Sequence, residues 1–418
     1  MQSDEYGGYV DSYDFVGTGD AHDDEGMLLV PGQPGRPTDA NFDDPKVASM
    51  PKILLMGPRR GGKTSIQRVI FQKMSPHETL FRLEATQSLE RAIVDHTPLC
   101  RFTVWDFPGD FYEGDETVFG GAASLIFVVD AQDEPYDHVL QSFTDAVTKA
   151  IQLNPNIVIE VFINKVDGEL FLSDESKYDC RRDVYTQVNY ELEDAGISPD
   201  NINIRYHLTS IYDHTIYEGL SRVVQRLIPQ LPTLESLLNV LVSQCSMEKA
   251  YLFDVVSKLF ISTDPGPVDM QSVELCSDMI DVVLDVSGIY GLGPSQLELG
   301  HAAAAAESNS VEGADPNSTS ENKDGFDVPD ELVGTLISQA PAEDLEEEMV
   351  DPDSAYDSES ASVIRLSNGM VLYLKEVDTM LALVCITRSE NFRKKSLINY
   401  NIGCLKKALR ALVDNESL

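Results

Sequence analysis

Basic residues are scarce in this sequence, and their scarcity excludes two classes of partner. The 418 residues include 31 Lys and Arg against 70 Asp and Glu, which gives a formal net charge of −39. Nucleic-acid phosphates and anionic lipid headgroups repel a surface of that sign, so electrostatic binding to either is disfavoured. We therefore predict no nucleic-acid partner.

Several sequence patterns that indicate common functions are also missing. No apolar run approaches the roughly 18 residues of a membrane-spanning helix, residue 2 is Gln rather than the Gly of a myristoylation signal, and no prenylation cysteine ends the chain. The six cysteines form no Cys-x-x-Cys pair, so we expect reduced, buried thiols rather than a zinc site. No Gly-x-Ser-x-Gly motif supports a serine hydrolase. We expect the chain to have no direct membrane anchor.

The negative charge is concentrated in two stretches. Residues 1–46 hold 11 acidic against two basic residues, and residues 291–362 hold 18 against one. Such a composition cannot bury enough apolar surface to offset the entropy of ordering the chain. We predict an acidic disordered arm at 1–49, a first folded domain at 50–230, and a second at 233–418 with an acidic disordered insertion at 291–362.

The first domain begins with a strand, a glycine-rich loop and a helix. The strand Ile53–Met56 leads into GPRRGGKT at residues 57–64, and regularly spaced apolar residues follow. In such a P-loop, glycines let backbone N–H groups turn toward phosphate oxygens, Lys63 adds a positive charge, and the Thr64 hydroxyl can bind Mg²⁺. On its own, the motif suits an ATPase, a kinase or a GTPase.

A second strand supplies a further phosphate-site signal. Residues 102–105 are apolar and end at Asp106, followed by Phe107-Pro108-Gly109. An aspartate at the end of a strand beside the P-loop strand is placed to hold Mg²⁺, and the N–H of Gly109 can reach a γ-phosphate. This pattern predicts a nucleotide-sensing switch.

The base is indicated by the segment after a later strand. Two further strands are predicted at 124–130 and 158–163. The second of them is followed by Asn164-Lys165-Val166-Asp167. The two N–H donors of guanine match the carboxylate of Asp167, whereas adenine would leave that carboxylate unpaired. Asn164 can meet the other edge of the ring or tie neighbouring loops together, and the stem of Lys165 can lie over the purine.

A last strand of this domain, at 204–208, ends at Thr209-Ser210-Ile211, where backbone N–H groups can donate to the guanine carbonyl. All these loops follow the carboxyl ends of predicted parallel strands, which meet at one edge of a sheet. The sequence therefore predicts a single guanine-nucleotide site.

The second domain shows an α-β-β-α-β-β-β-α pattern and no convergent acid, base or nucleophile. Thr233 is the predicted N-cap of its first helix. Strands are predicted at 250–255, 258–262, 362–366, 370–375 and 380–387, and helices near 271–286 and 395–413. The apolar run 279–284 and the leucines of the last helix, Leu405, Leu409 and Leu412, either cover their own sheet or form an interface.

Residues 50–230 resemble the small GTPases of the Ras superfamily, and the whole chain resembles the Rag GTPases of the C/D type. The resemblance rests on KILLMGPRRGGKTSIQ at 52–67, TVWDFPG at 103–109, VFINKVDG at 161–168, LTSIYDHTIYEGL at 208–220 and AYLFDVVSKLF at 250–260. It implies an α/β P-loop small GTPase domain with a mostly parallel, Ras-like sheet, followed by an α+β roadblock/longin-like domain.

The resemblance also implies roles for individual residues. Phosphate contacts fall to Gly57, Arg60, Gly61, Gly62, Lys63, Thr64, Ser65, Thr79 and Gly109, and guanine contacts to Asn164, Lys165, Asp167, Ser210 and Ile211. The Mg²⁺ ligands become Thr64, Thr86 and Asp106. Thr86 is preferred to Thr79 for the metal because it lies later in the first switch, and Thr79 is then a ribose or phosphate contact.

The resemblance further implies partners and a location. These are GTP or GDP with Mg²⁺, a heterodimer with an A/B-type Rag, the Ragulator scaffold, a folliculin-type GTPase-activating complex, and amino-acid-dependent recruitment of the TOR kinase complex. The protein is expected to be cytoplasmic, to be recruited to the lysosomal surface by partners, and to have a nuclear fraction.

One departure from the family pattern concerns hydrolysis. C/D-type members carry Gln directly after the Pro-Gly of the second switch, but Asp110 follows Gly109 here, and the segment to Val118 is shorter. A carboxylate beside a γ-phosphate adds like-charge repulsion instead of orienting water. We expect slow, partner-assisted hydrolysis. The alternatives are a scaffold subunit that binds guanine nucleotide without turnover and, more distantly, an ATP-using P-loop enzyme.

Overall fold

The computed structural model describes residues 27–29, 42, 44–109, 117–289, 361–378 and 380–414. Three sequence predictions fall wholly or largely outside these residues: the departure at Asp110 with the rest of the second switch to residue 116, most of the acidic arm, and residues 291–360 of the acidic insertion.

Seven strands form the first sheet: β1 (Met27–Leu29), β2 (Lys52–Met56), β3 (Glu90–Thr97), β4 (Cys100–Asp106), β5 (Ala122–Asp130), β6 (Val158–Asn164) and β7 (Ile204–Thr209). They lie in the order β1-β3-β4-β2-β5-β6-β7, and among these described strands only β3 and β4 are antiparallel neighbours. The predicted mostly parallel sheet is confirmed. The strand β3 was not predicted, because charged residues such as Arg91 and Asp95 interrupt its apolar pattern.

Six helices accompany this sheet: α2 (Lys63–Gln72), α3 (Pro76–Arg82), α4 (Thr117–Gly120), α5 (Asp137–Leu153), α6 (Asp174–Asp194) and α7 (Thr215–Gln225). The helix α2 buries Ile66, Val69 and Ile70 against the sheet, as the apolar spacing predicts. It ends at Gln72, and the C-cap residue Lys73 has a left-handed φ of 54°. Residues 76–82, which lie inside the predicted first switch, form the helix α3.

Two short elements lie in the arm that we expected to lack regular structure. The strand β1 pairs in parallel with β3, and Pro45–Ala48 form the helix α1. The strand β1 forms because β3 would otherwise be an edge strand with unpaired backbone donors and acceptors. Met27–Leu29 is an apolar run within the arm and can pair with that edge. The prediction is wrong for these segments.

The second sheet contains β8 (Lys249–Asp254), β9 (Phe260–Thr263), β10 (Ala361–Arg365), β11 (Met370–Asp378) and β12 (Leu381–Arg388). The strand order is β10-β11-β12-β8-β9, with antiparallel pairs throughout. Its helices are α8 (Leu231–Cys245), α9 (Met270–Ile289), α10 (Ser389–Phe392) and α11 (Lys395–Asp414). The predicted order of elements is confirmed, with α10 added.

The predicted start of α8 is wrong by three residues. Gln230 is the N-cap and Pro232 lies in the first turn, so Thr233 is already helical. Proline is tolerated there because the first N–H groups of a helix have no intrahelical acceptor.

Among the described helices, none combines the length and the apolar character needed to cross a bilayer.

The apolar positions in question on α9 and α11 mostly cover their own sheet. Met279 and Ile280 are each 1% exposed, and Leu405 and Leu409 are also buried. Leu412 is partly buried against the same core. The interface interpretation is wrong for these four buried residues. On α9, Val282 and Val286 remain 53% and 40% exposed.

The two sheets share one continuous apolar core. It joins residues of the first sheet to residues of the second through α7 and α8, and includes Ile53, Phe102, Leu220, Leu234, Leu252 and Tyr373. Polar contacts add to this core. Ser221 Oγ accepts the N–H of Phe260 at 3.1 Å, and buried His96 Nδ1 lies 3.0 Å from Asp254 Oδ2. The first domain is therefore packed on the second.

Candidate nucleotide-binding site

The loop between β2 and α2 has a conformation that only glycine allows at two positions. Gly57 has φ of 134° and Gly62 has φ of 101°. A Cβ at Gly57 would overlap the carbonyl oxygen of Val128, and one at Gly62 would overlap the side-chain amide of Asn164. The glycines therefore let this loop close against the ends of β5 and β6, as the P-loop prediction requires.

Lys63 is the first residue of α2 and its ammonium group lies inside this loop. The side chain is buried, and Nζ donates to the carbonyl oxygens of Gly57 and Pro58, both at 2.9 Å. The N-cap residue Gly62 has no side chain to cap the helix. A lysine and a helix N-terminus at the same place form a site for an anion such as phosphate.

The other predicted phosphate contacts, Arg60, Ser65 and Gly109, lie in three different environments around the P-loop. Arg60 has φ of 64° and is exposed, and Ser65 lies half-buried in the first turn of α2. Gly109 touches the P-loop, because a Cβ there would overlap the backbone of Arg59. The second switch thus begins in direct contact with the phosphate loop.

Three predicted Mg²⁺ ligands converge on one point. Thr64 Oγ1 lies 2.5 Å from Asp106 Oδ2 and 2.7 Å from Thr86 Oγ1. Asp106 is fully buried, its Oδ1 has no hydrogen-bond partner, and burial raises the pKa of its carboxyl to about 6. The Thr64 hydroxyl thus lies between a buried carboxylate and a second hydroxyl. Together these groups offer hard oxygen ligands, which fit Mg²⁺.

Thr79 is not part of this cluster. Its hydroxyl donates to the carbonyl oxygen of Pro76 at 2.7 Å inside α3, and the residue is buried. The structure therefore gives Thr79 a local role in α3. The preference for Thr86 over Thr79 as a metal ligand, made because Thr86 lies later in the switch, agrees with this geometry.

Asn164 ties the base loop to its neighbours. Its Nδ2 donates to the carbonyl oxygen of Gly61 at 2.9 Å, and its Oδ1 accepts the hydroxyl of Thr209 at 3.2 Å. The residue is 2% exposed. Of the two roles that the sequence left open, this geometry favours linking the loops.

Asp167 presents an exposed carboxylate at the same sheet edge. Its Oδ1 accepts the hydroxyl of Ser210 at 2.7 Å. The N–H of Ser210 is taken by Thr215 Oγ1 at 2.9 Å, so the expected donation to a guanine carbonyl rests on Ile211. Ser210 thus positions Asp167 through its side chain, which spacing alone did not reveal.

Lys165 is held by a residue that the sequence analysis missed. Its Nζ lies 2.5 Å from Asp130 Oδ2, and its φ of 68° is left-handed. Gln132 also donates to the carbonyl oxygen of Lys165 at 2.8 Å. Asp130 ends β5 just as Asn164 ends β6, so its place at a strand end was the available signal.

Comparison with known proteins agrees with this geometry. Residues 52–280 match a family model described as the Gtr1/RagA G protein conserved region. The chain is similar to Ras-related GTP-binding protein C of Homo sapiens, with 45% identity over 372 residues, 88% of this chain and 78% of that protein.

Two further relatives extend the comparison. GTP-binding protein gtr2 of Schizosaccharomyces pombe is 45% identical over 367 residues, 86% of this chain and 97% of that protein. Ras-related GTP-binding protein A of Dictyostelium discoideum is 28% identical over 238 residues, 55% of this chain and 75% of that protein.

Proposed function

The chain belongs to the Gtr1/RagA family of G proteins, in the group of Ras-related GTP-binding proteins C and D and gtr2, and we propose that it is a guanine-nucleotide switch. In this proposal, GTP or GDP with Mg²⁺ sets the conformation of residues 75–90 and 106–119, and partners bind according to that conformation. The P-loop, the hydroxyl and carboxylate cluster, and the base loop all lie at one sheet edge, which supports a single nucleotide site.

Base recognition rests on one observation above all: Asp167 is exposed and is oriented by the Ser210 hydroxyl at 2.7 Å. Its free oxygen lone pairs can accept the two N–H donors of guanine. Competition between labelled GTP and unlabelled ATP or GDP tests this. We expect Asp167→Asn to lose the preference for guanine by roughly 100-fold or more.

The matched control is Asp200→Asn, at an exposed carboxylate in the turn that precedes β7. It should leave the preference for guanine nucleotides intact. If ATP displaced GTP from the parent protein as well as GDP does, the ATP-using alternative would replace this proposal.

The Mg²⁺ ion would be held by Thr64, Thr86 and Asp106. Bound there, it would neutralise charge on the phosphates. Thr64 lies in the first turn of α2, and Asp106 is the last residue of β4. Thr86 brings the first switch to the Thr64 hydroxyl. The first switch is thereby positioned by the same oxygen cluster that would hold the ion.

Hydrolysis is proposed to be slow and dependent on a partner. The support is the sequence, because Asp110 replaces the Gln of the C/D type. Single-turnover hydrolysis should be slow in the parent chain and faster in Asp110→Gln. Tight GTP binding without hydrolysis, even with a GTPase-activating partner present, would favour the non-hydrolysing scaffold instead.

Pairing with an A/B-type subunit is proposed to use the second, roadblock-like domain. The strand β10 is the edge of its sheet, and α9 exposes Val282 and Val286. Edge strands and exposed apolar side chains are each features that favour association with another chain. The similarity to Ras-related GTP-binding protein A supports a related chain as the partner.

Co-expression of the full chain with an A/B-type relative tests the pairing. Val282→Asp and Val286→Asp should weaken co-purification, because each places a charge in the interface. The control Val240→Asp alters a 58% exposed valine on α8 and should leave pairing intact. If the parent chain and the Val240→Asp control both elute without the A/B-type relative, the proposal is contradicted.

The cellular role follows from the C/D-type membership. We infer docking on the Ragulator scaffold at the lysosomal surface, regulation by a folliculin-type GTPase-activating complex, and relay of amino-acid sufficiency to the TOR kinase complex. Lysosomal enrichment of the tagged chain that changes with amino-acid supply is the expected result. If the distribution of the tagged chain changed neither with amino-acid supply nor with the A/B-type partner, this inference would be overturned.

A further inference from the structure

The first switch is attached to the nucleotide site at two points. At one end, Thr86 contacts Thr64 in the oxygen cluster at 2.7 Å. At the other end, the ring of His77 on α3 lies against the ring of Tyr212, with centroids 5.4 Å apart and planes at 55°. Tyr212 belongs to the loop between β7 and α7, next to Ser210 and Ile211.

Tyr212 is connected to the base-reading carboxylate. Its N–H donates to Ser210 Oγ at 3.1 Å, and Ser210 Oγ in turn donates to Asp167 Oδ1 at 2.7 Å. Because Tyr212 uses its backbone for this bond, its ring is available for His77. The base-reading loop and the first switch are therefore joined through one aromatic pair.

The helix α3 depends on few contacts. It has seven residues, and its Leu80 and Phe81 are 66% and 87% exposed. A short helix with exposed apolar side chains gains little stability from packing, so each contact at its ends weighs more. His77 lies in its first turn, where the chain enters the switch.

We propose that His77 and Tyr212 are positioning residues that retain bound nucleotide by holding the first switch closed over the base end of the site. This rests on the guanine-nucleotide binding proposed above. A nucleotide with its base at Asp167 and its phosphates at the P-loop lies between the two attachments. Its release requires the switch to open, and the ring pair opposes that opening.

The test is the dissociation rate of fluorescent mant-GDP from the full chain in complex with its A/B-type partner. Tyr212→Ala and His77→Ala should each speed dissociation about two- to tenfold, which corresponds to the stabilisation usual for an aromatic pair. The association rate should change little. Tyr212→Phe keeps the ring and should retain the parent rate.

Two comparisons exclude a general structural effect. The double variant should dissociate no faster than the faster single variant, because both changes remove the same contact. Tyr190→Ala removes a 69% exposed tyrosine on α6 and should leave the rate unchanged. Unchanged rates in the single variants, additive effects, or a Tyr212→Phe that behaves like Tyr212→Ala would overturn the proposal.

The outcome is separable from the base-recognition proposal. Failure of that proposal appears in the parent chain, as displacement of GTP by ATP. Failure of the present one appears only as unchanged dissociation in the His77 and Tyr212 variants, with the guanine preference intact.

Discussion

Asn164 donates a hydrogen bond from its side-chain amide to the carbonyl oxygen of Gly61 at 2.9 Å, and so joins the base loop to the phosphate loop. Both partners are buried, and the amide oxygen is also used by Thr209. The two halves of the nucleotide site are therefore held at a fixed separation by one side chain. A nucleotide that contacts both loops benefits from this preorganisation.

Replacing Asn164 by Ala should weaken both the fold and nucleotide binding. It leaves the carbonyl of Gly61 and the hydroxyl of Thr209 without their partner, which costs about 1–3 kcal/mol. We expect the affinities for GTP and GDP to fall together, as measured by calorimetry. Asn156→Ala, at an exposed asparagine before β6, is the control. Loss of affinity for only one of the two nucleotides would contradict a linking role.

Gly57→Ala should destabilise the protein, because an added Cβ would overlap Val128 and φ is 134°. The cost of such strain is on the order of 1–3 kcal/mol. Gly403→Ala is the matched control, since it lies within α11 with no atom within 4 Å of its added Cβ. That change should stabilise by about 0.4–1 kcal/mol. Urea unfolding of the two variants should therefore shift in opposite directions.

Asp106→Asn should remove the dependence of nucleotide retention on divalent metal. In the parent chain, EDTA should accelerate nucleotide release by roughly 10-fold or more, as expected when a metal ligand set is lost. The variant should release nucleotide rapidly with or without EDTA. Asp145→Asn, at an exposed position on α5, should respond like the parent. An Asp106 variant that still responds fully to EDTA would place the metal elsewhere.

Because of His207, the free energy of unfolding should decrease at mildly acidic pH. Burial lowers the pKa of this imidazole from 6.5 to about 4, while its Nε2 stays 2.8 Å from the buried carboxylate of Glu160, which Arg226 also contacts. Between these pH values the unfolded chain binds a proton that the folded chain does not. Stability is therefore complete above pH 6.5 and falls as the pH approaches 4, by about 3 kcal/mol in the limit.

The comparison that isolates this effect is His207→Gln, which keeps a side-chain donor near Glu160 and does not titrate. Urea unfolding at pH 7.5, 6 and 5 should show a smaller loss of stability in the variant than in the parent. Parallel pH profiles for the two proteins would show that His207 is not the group responsible.

Sequence patterns predicted most of the first sheet because its buried parallel strands are continuous apolar runs. They did not predict β3, whose apolar pattern is interrupted by Arg91 and Asp95, or β1, which is in the sheet only through its pairing with β3. The P-loop, Asp106 and Asp167 were predicted correctly as members of one sheet edge. The roles of Ser210, Asp130 and Tyr212 were not, because each acts through a neighbour distant in sequence.

The sequence by itself determined most of the helices and strands of this protein, the glycines of the phosphate loop and the family to which it belongs, since these depend on local spacing. Tertiary structure decided which role Asn164 takes, which neighbours hold Asp167 and Lys165, and which apolar residues of α9 stay exposed. The physical reason is that hydrogen bonds and burial depend on distances between segments many residues apart, which no local pattern encodes.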